Sequence, residues 1–206
     1  MFTRGLSEQT QKNLELLKKP PFIRSYYLAG GTALSLHFGH RFSHDLDFFS
    51  QTPVAPEIIR SELSALGNLE IFQNDKGTFN GVLDGVKLSF FIYPYSLLKP
   101  LLDFNDIKVA DIVDIACMKI DAISSRGTKR DFIDLYFICN KFKPIEVLLK
   151  FYSKKYSRAK FNKLHIVKSL VYFEDAESNP VPEMIEKVDW GKVKEYFIEK
   201  IKTVRF

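Results

Sequence analysis

Cysteine is scarce in this chain, with only Cys117 and Cys139 in 206 residues, both inside apolar helical patterns and without Cys-x-x-Cys spacing. That excludes a disulfide scaffold and a redox dithiol, and it suits buried thiols in a reducing cytoplasm. No stretch approaches the roughly 18 unbroken apolar residues of a membrane span. Met1-Phe-Thr-Arg-Gly5 leads into a polar helix with no apolar leader region behind it. Repeats and low-complexity tracts are absent too, which removes solenoids and disordered linkers. A cytoplasmic protein without membrane contact is the expectation. Hydrophobic content of 46% beside 27% charge is globular, and the length suits one or two small units with a sizeable core.

What is present concentrates between Tyr27 and Ser50. Tyr27-Leu-Ala-Gly-Gly-Thr-Ala-Leu34 spells an apolar strand, a glycine turn and the start of a helix. Glycines let backbone N–H groups come close to a ligand, and helix N-termini attract anions. Thr32 adds a hydroxyl where a cap or a phosphate contact would sit. Taken alone, a strand-to-helix turn capped by Thr32 accounts for the pattern equally well. A second strand then carries Asp45 and Asp47. Alternate residues of a strand share a face, so both carboxylates project from one side and Leu46 and Phe48 from the other. Magnesium takes hard oxygen ligands, commonly one or two carboxylates plus substrate phosphates. The plain alternative is a pair of solvated charges on an edge strand. The apolar setting of Leu46-Asp-Phe-Phe49 weighs against it, because an unpaired charge there is costly.

A second block starts with a predicted helix from Asp111 to Arg126, apolar at Ile112, Ile115, Ala116, Ile120 and Ile123. Lys119 falls on or beside that stripe. Either its stem snorkels to water, or its ammonium neutralises phosphate charge. Gly127 would end the helix, and Thr128-Lys-Arg-Asp131 has the spacing of a capping box with Asp in the usual Glu position. Asp131 therefore serves the helix, a site, or both.

Gly30-Gly-Thr-Ala-Leu, Gly39-His-Arg-Phe-Ser43, Asp45-Leu-Asp-Phe-Phe49 and the block Lys119 to Tyr136 together resemble the AbiEii/AbiGii nucleotidyltransferase toxins of bacterial toxin–antitoxin and phage-defence systems. These belong to the DNA-polymerase-β-like nucleotidyltransferase superfamily. Asp189-Trp190 and the basic helix after it add a weaker likeness. The resemblance implies an α+β fold, a nucleotidyltransferase-type mixed sheet flanked by helices with a helical C-terminal part. It implies a magnesium-dependent enzyme that transfers a nucleotide from a nucleoside triphosphate to an RNA (tRNA) or protein hydroxyl and releases pyrophosphate, with a cognate antitoxin as partner. Gly30, Gly31 and Thr32 would lie at the nucleotide phosphates, with Arg41 and Ser43 bordering the pocket. Asp45 and Asp47 would bind Mg2+, Lys119 would reach the triphosphate, and Asp131 would belong to the last motif. The superfamily often has a third acid on the neighbouring strand. Here that strand reads Val86-Lys-Leu-Ser-Phe-Phe-Ile92, with Ser89 at the place of the acid. Serine cannot take a proton as a carboxylate does, so a catalytically silent nucleotide-, RNA- or protein-binding module is the alternative.

The net charge of +5 is uneven: nine lysines and arginines lie between Lys141 and Lys168 against one acid, Glu146. Phe142, Phe151, Tyr152, Tyr156 and Phe161 are interleaved, so this stretch is the candidate surface for an RNA acceptor. A solvated helix with core aromatics is the alternative. His37, His40 and His44 lie near the acids, but a break around Gly39 to Phe42 spoils the one-face geometry of a zinc site. The expected order is a helix over 6–19 stopped by Pro20-Pro21 and a strand near 25–28. The glycine turn with its helix, the Asp-x-Asp strand and a helix from Pro56 follow. Strands near 69–73, 78–83 and 86–93 come next, then a connector over 94–108. Mostly helix remains, with a loop around 174–182 and a last helix from Gly191. Residues 1–100 would form the nucleotidyltransferase core and 101–206 a helical region completing the site.

Overall fold

Short β-branched and aromatic runs pair into a seven-stranded mixed sheet in the computed structural model, which describes residues 1–204. The strands are β1 (Tyr27–Ala29), β2 (Leu46–Ser50), β3 (Leu69–Asp75), β4 (Thr78–Leu83), β5 (Val86–Ile92), β6 (Leu102–Phe104) and β7 (Ile107–Val109), in the order β3-β4-β5-β2-β1-β7-β6. β2 runs antiparallel to β1 and parallel to β5, which places the Asp-x-Asp segment in the middle of the sheet. Helices α1 (Glu8–Leu17), α2 (Gly30–Phe38) and α3 (Pro56–Ser64) accompany these strands. Ser7 caps α1 by accepting from the Thr10 amide at 3.0 Å. One side of the sheet is closed by rings: Phe48 stacks on Phe90 at 5.1 Å, and Phe22, Tyr26 and Phe79 meet Phe90 edge-on.

The expected connector over 94–108 is not a plain connector. Residues 102–109 form the β6–β7 hairpin, and β7 extends the sheet by running parallel to β1. Its turn is Asn105-Asp106, with φ of 48° and 65°, the left-handed pair that two-residue hairpins require. The chain divides into two units, Met1–Ser96 with Pro100–Asp111, and Leu97–Lys99 with the residues from Ile112 onward. The hairpin belongs to the first unit because its hydrogen bonds are part of the sheet.

The second unit contains α4 (Ile112–Ser125), α5 (Lys129–Lys141), α6 (Ile145–Lys155), α7 (Lys163–Ser169), α8 (Glu174–Glu177) and α9 (Trp190–Thr203). The short α8 lies where a loop is expected. Gly127 ends α4 with φ of 51°, and Asp189 caps α9 by accepting from the Lys192 amide at 2.9 Å. Phe132 is central to this unit, in ring contact with Phe173, Trp190 and Phe197. Asp114 and Lys155 form a fully buried ion pair at 2.6 Å. The same carboxylate accepts from the Leu98 and Lys99 amides at 3.0 and 3.1 Å, which ties residues 97–99 to the helices. Among the described residues no helix is long and apolar enough to cross a membrane.

Cys117 and Cys139 are buried, and burial pushes both thiols up to about 12. Neither is expected to react with iodoacetamide in the folded protein at neutral pH, and both should react in guanidinium. Mass spectrometry after labelling checks this, and alkylation of the folded protein would contradict it.

Candidate active site

The first unit builds a turn that only glycine fits. Gly30 follows β1 with φ of 69°, and a Cβ on it would lie 3.1 Å from Asp47 Oδ2. A Cβ on Gly31 would overlap Arg41 Nη2 and come within 3.2 Å of Ser43 Oγ. The turn opens α2, whose first amides are free of intrahelical acceptors, so an anion-attracting backbone and a carboxylate share one small region.

Thr32 is buried, with 1% of its surface exposed. Its hydroxyl donates to the Asp45 carbonyl and meets Ser43 Oγ at 2.8 Å. The side chain therefore fastens the helix start to the segment before β2 and does not cap α2, which has no side-chain cap. Arg41 is also buried, with Nη1 donating to the Phe42 carbonyl at 2.8 Å and its guanidinium lying beneath Gly31. Ser35 Oγ donates to the Arg41 carbonyl at 2.8 Å, holding the loop to α2.

Asp45 stands immediately before β2, outside it, and Asp47 is the second residue of the strand. Both are half-buried, alternating with buried Leu46 and Phe48, and this alternation puts the two acids on one side. Across the sheet, Asp47 is in register with Ala29 on β1 and Ser89 on β5, and Ser89 with Asn80 on β4. Ser89 thus occupies the neighbouring-strand position beside Asp47 and is itself 2% exposed. Two carboxylates at alternate positions, one of them against the Gly30 turn, make a hard-oxygen donor set whose chemistry fits a divalent cation such as magnesium.

The histidines are dispersed in role. His37 Nε2 bonds the Ala110 carbonyl at 2.9 Å and burial lowers its pKa, His40 is buried and His44 is exposed. Among the described residues no group of three or more His, Cys, Asp or Glu is placed to hold a metal.

In the second unit Lys119 does not snorkel. Its ammonium lies 2.8 Å from Asp131 Oδ1 and 2.6 Å from Asp134 Oδ2, and both acids are fully buried. Asp131 also accepts from Thr128 Oγ1 at 2.6 Å and Arg126 Nε at 3.1 Å, while Thr128 caps α5 through the Asp131 amide. Burial alone would raise the Asp131 carboxyl. Lys119, Arg126 and the Thr128 hydroxyl overcome this and hold it at about 2. Asp134 enters the sequence reading only as the further Asp-Leu of the Lys119-to-Tyr136 block, and its i, i+3 spacing from Asp131 marks the shared helix face. Within the basic stretch, Tyr152 and Tyr156 are buried core and Lys155 is consumed by Asp114. Lys141, Lys150, Lys154, Arg158, Lys160, Lys163 and Lys168 are exposed.

A glycine turn opening a helix, with Asp-x-Asp at the adjacent central strand of a mixed sheet, defines the nucleotidyltransferase class. The family of the nucleotidyl transferase AbiEii toxin, from type IV toxin–antitoxin systems, matches residues 14–203, and the chain belongs to it. An uncharacterised protein of Aquifex aeolicus (strain VF5) is 42% identical over 207 residues, with 97% of each chain covered. Two solved structures share the fold. A Helicobacter pylori protein described as a candidate nucleotidyltransferase gives a TM-score of 0.57 at 19% identity, covering 95% of this chain and 94% of its own. The nucleotidyltransferase toxin MenT4 of Mycobacterium tuberculosis H37Rv gives 0.58 at 14% identity, covering 94% and 83%.

Proposed function

We propose that this nucleotidyltransferase transfers a nucleotide from a nucleoside triphosphate to an RNA hydroxyl, with the triphosphate on the Gly30-Gly31 turn and magnesium held by Asp45 and Asp47. The observation that supports this reading is the closeness of the Asp47 carboxylate to the Gly30 turn, where a Cβ on Gly30 would lie 3.1 Å from Oδ2. Magnesium bound there supplies charge that polarises the α-phosphate and lowers the pKa of the acceptor hydroxyl. The acceptor oxygen bonds to the α-phosphorus as the α–β phosphoanhydride bond breaks, and the electron pair leaves on pyrophosphate. With Ser89 beside Asp47, no carboxylate on β5 receives the hydroxyl proton, which passes to water. Thr32, Ser43 and Arg41 position the turn against the acids through the contacts around Gly31. Lys119 is held by Asp131 and Asp134 and keeps α4 against α5 in the second unit. The exposed lysines and arginines between Lys141 and Lys168 hold the RNA backbone electrostatically. A cognate antitoxin restrains the enzyme in a cytoplasmic toxin–antitoxin pair.

Labelled triphosphates incubated with total RNA and magnesium test this. Label should enter RNA with the wild type and not with Asp45→Ala. Absence of transfer by the wild type, or equal transfer by the variant, would overturn it. Binding without turnover is the competing function, favoured by Ser89; calorimetry showing metal-independent triphosphate binding and no transfer would select it.

Gly30→Ala forces an L side chain into left-handed backbone and presses a methyl toward Asp47. A stability loss of about 1–2 kcal/mol is expected in urea titrations, with transfer down about 100-fold as the carboxylate is displaced. Wild-type stability and rate in G30A would contradict the fit of this turn.

A further inference from the structure

The sheet face that carries the acids also carries a row of half-buried rings. Phe48, Phe79 and Phe90 close the opposite face at 1% exposure or less. On the Asp47 side, the next position along β2 is Phe49, in register with Tyr27 on β1 and Phe91 on β5. Phe49, Phe91 and Tyr93 are all half-buried. Their rings are contiguous but not coplanar: Phe49 and Phe91 lie 5.5 Å apart with planes tilted by 36°, while Tyr93 stands edge-on to Phe49 at 5.7 Å and to Tyr95 at 5.0 Å. Tyr27 backs Phe49 in a stacked pair at 6.1 Å.

We propose that Phe49 and Phe91 form a stacking shelf, with Tyr93 as its edge-on wall, for a nucleobase whose phosphate lies at Asp45 and Asp47, an inference that rests on the nucleotidyltransferase function proposed above. Two residues along a strand is about 7 Å, a gap that a ribose bridges between its phosphate and its base. Flat apolar rings with accessible surface bind the π-face that every base presents, without selecting among bases by hydrogen bonding. A nucleobase is the occupant that the site favours, because the shelf continues directly from an anion-binding turn and a pair of metal-binding carboxylates. The base belongs either to the incoming triphosphate or to the acceptor end of the RNA.

Binding with magnesium present separates these sources. The probes are tripolyphosphate, the four ribonucleoside triphosphates and a short single-stranded RNA, each titrated into the wild type and into F49L/F91L. The leucines keep apolar bulk and remove the aromatic faces; Tyr93→Leu serves as the second variant if the double substitution unfolds. Tripolyphosphate affinity should be unchanged, while affinity for the base-bearing ligand falls about tenfold, with all four bases affected alike. A loss confined to the triphosphates assigns the shelf to the incoming nucleotide, and a loss confined to RNA assigns it to the acceptor. Unchanged binding of both in the folded variants, or an equal loss for tripolyphosphate, overturns the shelf. A wild type that binds neither tripolyphosphate nor nucleotide overturns the underlying function as well, and is distinct from failure of the variants alone.

Discussion

Asp47→Asn is expected to lower nucleotide transfer by about 1,000-fold while leaving the fold intact. Asparagine keeps the size of the side chain but removes a full negative charge from a two-carboxylate donor set. A divalent ion held by two acids and the phosphates gives several kcal/mol of charge stabilisation, and about 4 kcal/mol corresponds to three decades in rate. Asp47 is the critical member because it sits within β2, fixed by register to Ala29 and Ser89, and its Oδ2 overlies Gly30. Asp45 lies just outside the strand and depends on the Thr32 hydroxyl at its carbonyl for its placement. Single-turnover transfer beside circular dichroism checks the expectation. A fall of only a few-fold, with native ellipticity, would remove Asp47 from the chemistry.

Lys119→Met should be strongly destabilising, at about 3–5 kcal/mol in urea titrations. The ammonium neutralises Asp131 and Asp134, which have no exposed surface, so its loss leaves buried carboxylates short of positive charge. Arg126 compensates Asp131 only in part, because its own side chain is 61% exposed. A loss below about 1 kcal/mol would mean that the pair behaves like a solvated surface bridge. The pH dependence has a definite sign. Asp131 is held at about 2, below its ordinary 3.8, so its contribution is complete above pH 4 and disappears as pH falls through 2. That contribution is about 2 kcal/mol, and Asp131→Asn should flatten the wild-type decline over this window.

The glycine turn and the Asp-x-Asp spacing were legible because each depends on local backbone geometry. Left-handed φ at Gly30 and strand alternation around Asp47 need only a few neighbouring residues. The end of α4 at Gly127 and the cap at Thr128 were legible for the same reason. The β6–β7 hairpin was hidden because each strand has only three residues, though Asn105-Asp106 carried a turn signal. Thr32 read as an N-cap or phosphate ligand because sequence cannot show that Ser43 and the Asp45 carbonyl would reach its hydroxyl first. Periodicity put Lys119 on the apolar stripe of α4 but could not reveal Asp131 and Asp134 waiting on the next helix. The basic stretch combined exposed lysines with buried Tyr152 and Tyr156, which alternation of residue types does not separate. The ring row beside the acids exists only once the β2–β5 register is known.

Anomalous diffraction from crystals grown with Mn2+ and a non-hydrolysable nucleoside triphosphate tests the central claim most directly. A manganese peak within coordinating distance of both Asp45 and Asp47, with the phosphates against the Gly30-Gly31 turn, is the expected result. Nucleotide bound elsewhere, or a peak that touches neither carboxylate, would contradict it.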